Sequence, residues 1–306
     1  MNSFDFQRAK GKPHPRLRRG MYLLPSLFTA GSLGAGYFSI TQTIGALDGS
    51  GQAHTHLDWA AIAILFAIPF DALDGRIARL TNTTTDFGRE LDSLADVITF
   101  GMAPSLLAFV WGFRFLPEFH FLPDSMNAQM RLHLMQAGAF ICFLFLLSGA
   151  SRLARFNISH DPQPRNPGRA DRKYFVGMPI PAAAGLLAAT VHFFNAYPVE
   201  EWWVAVPWLI LVGLTAFLMV STWRFWSAKE INFSRRHPFQ LLVLLALIAY
   251  IALRYSNVVM FPVALVYMFS GIWARAAYGW SRRRRKKPLD PPAHSPVAAE
   301  PGAGTP

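Results

Sequence analysis

The chain has 306 residues, of which 52% are apolar and only 15% charged, with 26 phenylalanines. Soluble chains carry about 25% charge, so a soluble globular enzyme is excluded, and the single cysteine, Cys142, excludes a disulfide scaffold. The formal net charge of +11 sits at the chain ends and in alternate loops, a pattern that orients a membrane protein and argues against a nucleic-acid partner.

Residues 1–20 form a basic segment with Arg8, Lys10, Lys12, Arg16, Arg18 and Arg19. Uncharged runs approaching or exceeding the ~20 residues needed to cross a bilayer then recur along the chain. They predict eight spans, over 21–44, 59–80, 90–113, 133–156, 176–197, 203–223, 238–254 and 257–277. The first is too long for a signal-peptide core and is followed by further spans, so it reads as a retained helix. Its small residues Gly31, Gly34, Ala35 and Gly36 permit close helix packing, either within one chain or across a homodimer. The 45–58 loop has no Lys or Arg, and its His54 and His56, beside Asp58, read as solvated side chains rather than a metal site. The loops at 81–89, 157–175 and 224–237 are basic, whereas 198–202 carries Glu200 and Glu201. After the last span come Arg282 to Arg285, Lys286 and Lys287. Both termini therefore read as cytoplasmic, which needs an even number of spans; Arg114, Arg131 and Arg254 are the exceptions to the charge rule. The expected fold is an all-α polytopic membrane bundle of about eight helices over 21–280. A basic, then Pro- and Ala-rich, disordered tail over 281–306 completes the expectation. No internal repeat suggests an inverted-repeat transporter.

The second and third spans carry residues that a bilayer rejects. Between Phe70 and Ser105 the chain reads FDALDGRIARLTNTTTDFGRELDSLADVITFGMAPS. Asp71 and Asp74 lie in one span, Asp92 and Asp96 in the next. Four carboxylates inside spans cost on the order of 10 kcal/mol if nothing compensates them, so they are functional by default. At 1.5 Å rise, Asp71 and Asp74 lie about 13 and 9 Å from the end of their helix, and Asp92 and Asp96 about 6 and 12 Å from the start of theirs. Spacings of three and four residues place each pair on one helical face, so two antiparallel neighbours present all four to one point. Such a point needs cations, and hard Mg²⁺ or Mn²⁺ take oxygen ligands. A pair of ions would neutralise the cluster and suit phosphoryl displacement. Gly75 and Gly88 leave room for close approach, Ala78 keeps the face small, and Arg76 and Arg79 add positive charge that suits a phosphate-bearing lipid. Asp86, before Phe87 and Gly88, reads as a helix cap rather than a ligand. A cation transporter would hold its carboxylates near the midplane on broken helices, whereas these lie toward the ends of unbroken ones.

The pattern D-x-x-D-G-x-x-A-R-x8-G-x-x-x-D-x-x-x-D, filled by Asp71, Asp74, Gly75, Ala78, Arg79, Gly88, Asp92 and Asp96, resembles the signature of the CDP-alcohol phosphatidyltransferase family. The segments Leu24 to Ile40, Asp92 to Ser105, Ser151 to Asn157, Tyr174 to Gly185 and Leu218 to Phe225 look like its phosphatidylserine synthase branch, from about residue 20 to about 280. Ser26, where many members have Asn, the longer 157–175 loop and the tail depart from the pattern, and none touches the acidic motif. The resemblance implies transfer of the phosphatidyl group of CDP-diacylglycerol to L-serine, with release of CMP. It implies that the four aspartates surround a divalent metal pair and that Asp96 is also the general base. It assigns Gly75, Ala78, Arg79 and Gly88 to the CDP pocket. The acidic motif alone leaves glycerol 3-phosphate, inositol phosphate or choline open as acceptors. Arg152 and Arg155, at the end of the fourth span, are candidates for the serine carboxylate, for the lipid phosphate, or for anchoring the boundary. Chain length and span number resemble bacterial members, implying the bacterial inner membrane with the site facing the cytoplasm.

Overall fold

The structure is a computed structural model that describes residues 15–81, 86–117, 124–158, 174–226 and 254–285; for 15–26, 74, 77–81, 86, 124–125, 127, 174, 226, 279 and 281–285 only the backbone is described. The chain is mostly helical. Helix α1 spans Pro15–Gly45 and α2 Ala53–Thr81. A third rod is built from α3 (Asp86–Asp96), a π-helical turn (Val97–Met102), α4 (Ala103–Phe109) and a second π turn (Val110–Arg114). Then come α5 (Asp124–Ile158), α6 (Ile180–Phe193), α7 (Trp202–Val220) and α8 (Ser256–Arg285). Two three-residue strands, β1 (Tyr174–Val176) and β2 (Arg224–Trp226), pair antiparallel with Phe175 opposite Phe225.

Among the described residues, five helical segments are long and apolar enough to cross a membrane: Ala53–Leu73, Phe87–Arg114, Ala128–Ile158, Trp202–Val220 and Ser256–Tyr278. The predicted span over 238–254 and the tail beyond 285 lie outside the described residues. Large apolar side chains such as Phe140, Phe143, Ile210, Phe217, Val263 and Val266 are exposed on the outward faces, as lipid-facing positions require.

Three expectations shift. Helix α1 begins at Pro15, ahead of the predicted 21, and α8 continues through the arginine run to Arg285, which the sequence reading placed in a tail. The span expected over 176–197 is a 14-residue helix, about 21 Å long. It is shortened from both ends. Gly177 adopts φ +72 directly after β1, and a Cβ there would stand 2.6 Å from the Met219 carbonyl. At the other end Asn195 and Ala196 turn the chain at φ 51 and 54. A short helix suffices because α6 is the centre of the bundle. Ile180 and all of Ala183 to His192 are buried, between α2 on one side and α8 on another. Helix α1 pairs with α2, and α5 with α7.

Two glycines set close approaches. A Cβ on Gly36 would lie 2.7 Å from the Thr99 backbone, and Thr99 Oγ1 donates to the Ser32 carbonyl at 3.1 Å. So the small stripe of α1 packs within the chain, against the π turn that begins one residue after Asp96. Gly112, in the second π turn, accommodates the Trp208 ring, whose indole N–H donates to the Ala108 carbonyl at 3.0 Å. Both devices seat the third rod against its neighbours. The α1–α2 connection turns at Asp48, whose Oδ1 accepts the Ser50 N–H at 2.8 Å. That bond holds the Asp48 carboxyl below its ordinary value.

At the opposite end from the acidic motif, three helices are joined by side chains. His192 of α6 lies 2.6 Å from Asp58 of α2 through Nδ1 and 2.9 Å from Ser256 of α8 through Nε2. An ionised carboxylate only accepts, so Nδ1 carries the hydrogen, and in the neutral ring Nε2 accepts the Ser256 hydroxyl. His56 bonds Gln42 at 2.7 Å and His54 stacks on Tyr197 at 4.9 Å. Both expected solvated histidines thus have protein partners, which the apolar setting at the helix ends makes worthwhile.

Candidate active site

The acidic site forms where α2 and α3 converge. Asp71 lies near the far end of α2, two residues after Pro69, which removes one N–H from the helical ladder. Asp92 and Asp96 are one turn apart on α3 and share a face. Asp71, Asp92 and Asp96 each offer a carboxylate oxygen, and these atoms all lie within 4.8 Å of one another. All three are part-buried. Like charges about 4 Å apart repel by about 4 kcal/mol per pair at an effective dielectric of about 20. Three hard oxygen donors at that spacing therefore fit a divalent cation of the Mg²⁺ class. Asp74 is one helical turn beyond Asp71 on the α2 backbone, but its side chain, like those of Ala78 and Arg79, lies outside the described residues. Gly75 sits between them on α2, and Gly88 opens α3, where both are part-buried. Helix α3 starts at Asp86.

The approach of α5 completes the site. Arg152 is buried, with 7% of its surface exposed, and its guanidinium lies 4.5 Å over the Phe156 ring. Arg155 donates from Nη1 to the Val220 carbonyl at the end of α7, at 3.3 Å. Arg152 Nε and Arg155 Nε and Nη2 are buried and have no hydrogen-bond partner among the described residues. Burying an unsatisfied donor costs about 1–3 kcal/mol, more for a charged group. Arg152 is within electrostatic reach of Asp96, Arg155 and Tyr267 of α8.

Several participants carried no sequence signal. Ser93 Oγ donates to the Arg89 carbonyl at 3.0 Å and accepts from Asn157 Nδ2 at 3.2 Å. This ties the end of α5 to the residue beside Asp92. The β1–β2 pair holds Phe225, almost fully buried, against α8. Its ring is 5.8 Å from that of Tyr267, and a Cβ on Gly271 would stand 2.3 Å from it. Only the tertiary fold brings residues 93 and 157, or 225 and 267, together.

Residues 22–212 match the family model for CDP-alcohol phosphatidyltransferase, and the chain belongs to that family. It is 37% identical over 229 residues to a CDP-diacylglycerol–serine O-phosphatidyltransferase of Helicobacter pylori, covering 74% of this chain and 82% of that one. It is 30% identical over 264 residues to the protein of the same name from Mycobacterium bovis, covering 84% and 80%. The Saccharomyces cerevisiae protein of that name is 32% identical over 192 residues, 62% of this chain and 61% of its own.

Proposed function

We propose that this protein is a CDP-diacylglycerol–serine O-phosphatidyltransferase, moving the phosphatidyl group of CDP-diacylglycerol to the hydroxyl of L-serine and releasing CMP. The observation that carries the chemistry is the meeting of Asp71, Asp92 and Asp96 within 4.8 Å across two helices. What supports serine as the acceptor is the shared name of relatives from bacteria and yeast. Asp71, Asp74, Asp92 and Asp96 would hold Mg²⁺ or Mn²⁺, as a pair of ions. Bound there, the metal would withdraw charge from the pyrophosphate and make CMP a better leaving group.

The chain's own residues do the rest. The Asp96 carboxylate takes the hydroxyl proton of serine as its oxygen attacks the phosphorus bearing the diacylglycerol. The bond from that phosphorus to the CMP oxygen breaks, and CMP departs with the electron pair. Gly75, Ala78, Arg79 and Gly88 shape the pocket for the CDP group. Arg152 and Arg155 hold an anionic part of the substrates, and the serine carboxylate suits a planar guanidinium. The site faces the cytoplasm of a bacterial inner membrane, where both a soluble amino acid and a membrane lipid reach it.

The test is CMP release by purified protein with CDP-diacylglycerol and Mg²⁺ or Mn²⁺. Serine is compared with glycerol 3-phosphate, inositol phosphate and choline. Release with serine alone is expected. Release only with another alcohol would overturn serine as acceptor, and no release with any would overturn the transferase reading.

A further inference from the structure

We propose that the arginine-bearing end of α8 is a binding surface for anionic phospholipid headgroups, in the leaflet at the end of the bundle that carries the acidic cluster. The inference goes beyond the transferase reading and does not depend on it.

The direction of α8 follows from its contacts. Its first residue, Ser256, meets His192 at the end of α6, and further along Gly271 packs on Phe225, which pairs with Phe175 just ahead of α6. Helix α8 therefore runs antiparallel to α6. So does α2, since Asp58 meets His192 while Ile68 packs on Gly185, earlier in α6. Helices α2 and α8 thus leave the Asp58–His192–Ser256 junction in the same direction, toward the acidic cluster.

Helix length then sets the depth of the arginines. Asp71 lies thirteen residues after Asp58, and Arg282 twenty-six after Ser256; at 1.5 Å per residue these are about 20 and 39 Å along the two helices. The span Ser256–Tyr278 has 23 residues, about 35 Å, enough for a hydrocarbon core of about 30 Å. Arg282 to Arg285 remain helical, about 6–10 Å past the end of that span. That is headgroup depth, because the polar layers add about 10–15 Å to the core over both faces. Trp280, 65% exposed, stands at the boundary, where tryptophans mark the interface.

Charge gives the partner. Arg275 is exposed, four consecutive arginines follow, and no Asp or Glu occurs between Glu230 and Asp290. On a helix, four consecutive positions surround the axis within about 4.5 Å of rise, so the run forms a collar of cations at one depth. A second basic helix end lies on the same side. Phe28 of α1 packs on Phe70, beside Asp71, so the start of α1, with Arg16, Arg18 and Arg19, lies at this end too. Clusters of four or more basic residues directly beyond a span attract anionic lipid, with each residue worth about fivefold in affinity. A run that served only to orient the chain during insertion would not distinguish lipids afterwards.

The experiment titrates the full-length protein, in a neutral detergent, with phosphatidylglycerol or phosphatidylcholine and counts bound lipid by native mass spectrometry. The wild type is compared with a variant combining Arg282→Gln, Arg283→Gln, Arg284→Gln and Arg285→Gln, and with the corresponding four-lysine variant. The wild type is expected to bind phosphatidylglycerol at least about fivefold more tightly than phosphatidylcholine. The glutamine variant is expected to lose about that factor or more for phosphatidylglycerol, with phosphatidylcholine binding unchanged. The lysine variant, which keeps the charge, is expected to behave as wild type. Equal affinity for the two lipids in the wild type would overturn the proposal. So would wild-type phosphatidylglycerol binding by the glutamine variant, which would put the lipid at another site. An equal loss for both lipids, or loss of the preference in the lysine variant, would overturn it as well. None of these readouts involves turnover, so failure here leaves the transferase reading standing, and failure to release CMP leaves this proposal standing.

Discussion

Asp96 stands where two demands meet, since it completes the three-carboxylate cluster and lies within electrostatic reach of Arg152. A side chain proposed both to ligate and to accept a proton cannot be replaced by its amide. Asp96→Asn is expected to reduce CMP release by at least 10²- to 10⁴-fold, the usual worth of a positioned base, while the protein still inserts and purifies. Wild-type turnover in this variant would remove the proton-accepting role. Asp71→Asn, which leaves the proposed base in place, is instead expected to raise the concentration of Mg²⁺ or Mn²⁺ needed for half-maximal activity. Titration of each metal against CMP release reads this directly. The acidic residues were legible in the sequence because carboxylates in apolar spans have no bland explanation. Arg152 and Arg155 were legible as candidates only, because either end of a span collects arginines. The burial of Arg152, the unsatisfied nitrogens of both and the bond from Arg155 to Val220 at the end of α7 depend on the packing of the bundle.

At the scale of the element, the third rod changes register twice. The π turn at Val97–Met102 follows Asp96 immediately, and such turns inside α-helices are frequent at functional sites. Composition marks a continuous apolar span there, so the sequence reading places a single helix over 90–113. The extra residue per turn leaves no mark in hydrophobicity, and only the packing of Gly36 on Thr99 and of Gly112 on Trp208 reveals what the turns accommodate. Gly36→Val tests this. Its added carbons would overlap the Thr99 backbone, and overpacking of this kind costs about 1–3 kcal/mol. A lower thermal midpoint is expected, together with a fall in turnover beyond what the lost stability explains, since the strain lies one turn from Asp96. Turnover at wild-type level would show that the π turn absorbs the shift. The helix boundaries read from sequence erred mostly where chain geometry outweighs hydropathy. Gly177 ends the approach to α6, and charged residues at 282–285 extend α8 as helix because arginine is a good helix former.

For the whole molecule, the two ends of the bundle are built from different materials. One end gathers carboxylates and guanidiniums that call for ligands. The other closes on itself through Asp58, His192 and Ser256. His192→Ala is expected to destabilise the protein by roughly 1–3 kcal/mol, because it strands a partly buried carboxylate and hydroxyl. It should leave the serine KM unchanged, since the site lies at the far end. A thermal melt paired with a serine titration checks both halves of that expectation, and a raised KM would couple the ends. The bundle class was legible from runs of uncharged residues, whereas this three-helix link was not. His192 is an isolated histidine, 134 residues from Asp58 and 64 from Ser256. Those separations also order events during synthesis. Asp58 is made early and His192 well past the midpoint of the chain, yet the chain of hydrogen bonds cannot close until Ser256 has been made. A nascent protein therefore carries an open polar junction until its last described helix arrives, and a product truncated before that helix keeps the junction exposed for membrane quality-control proteases to find.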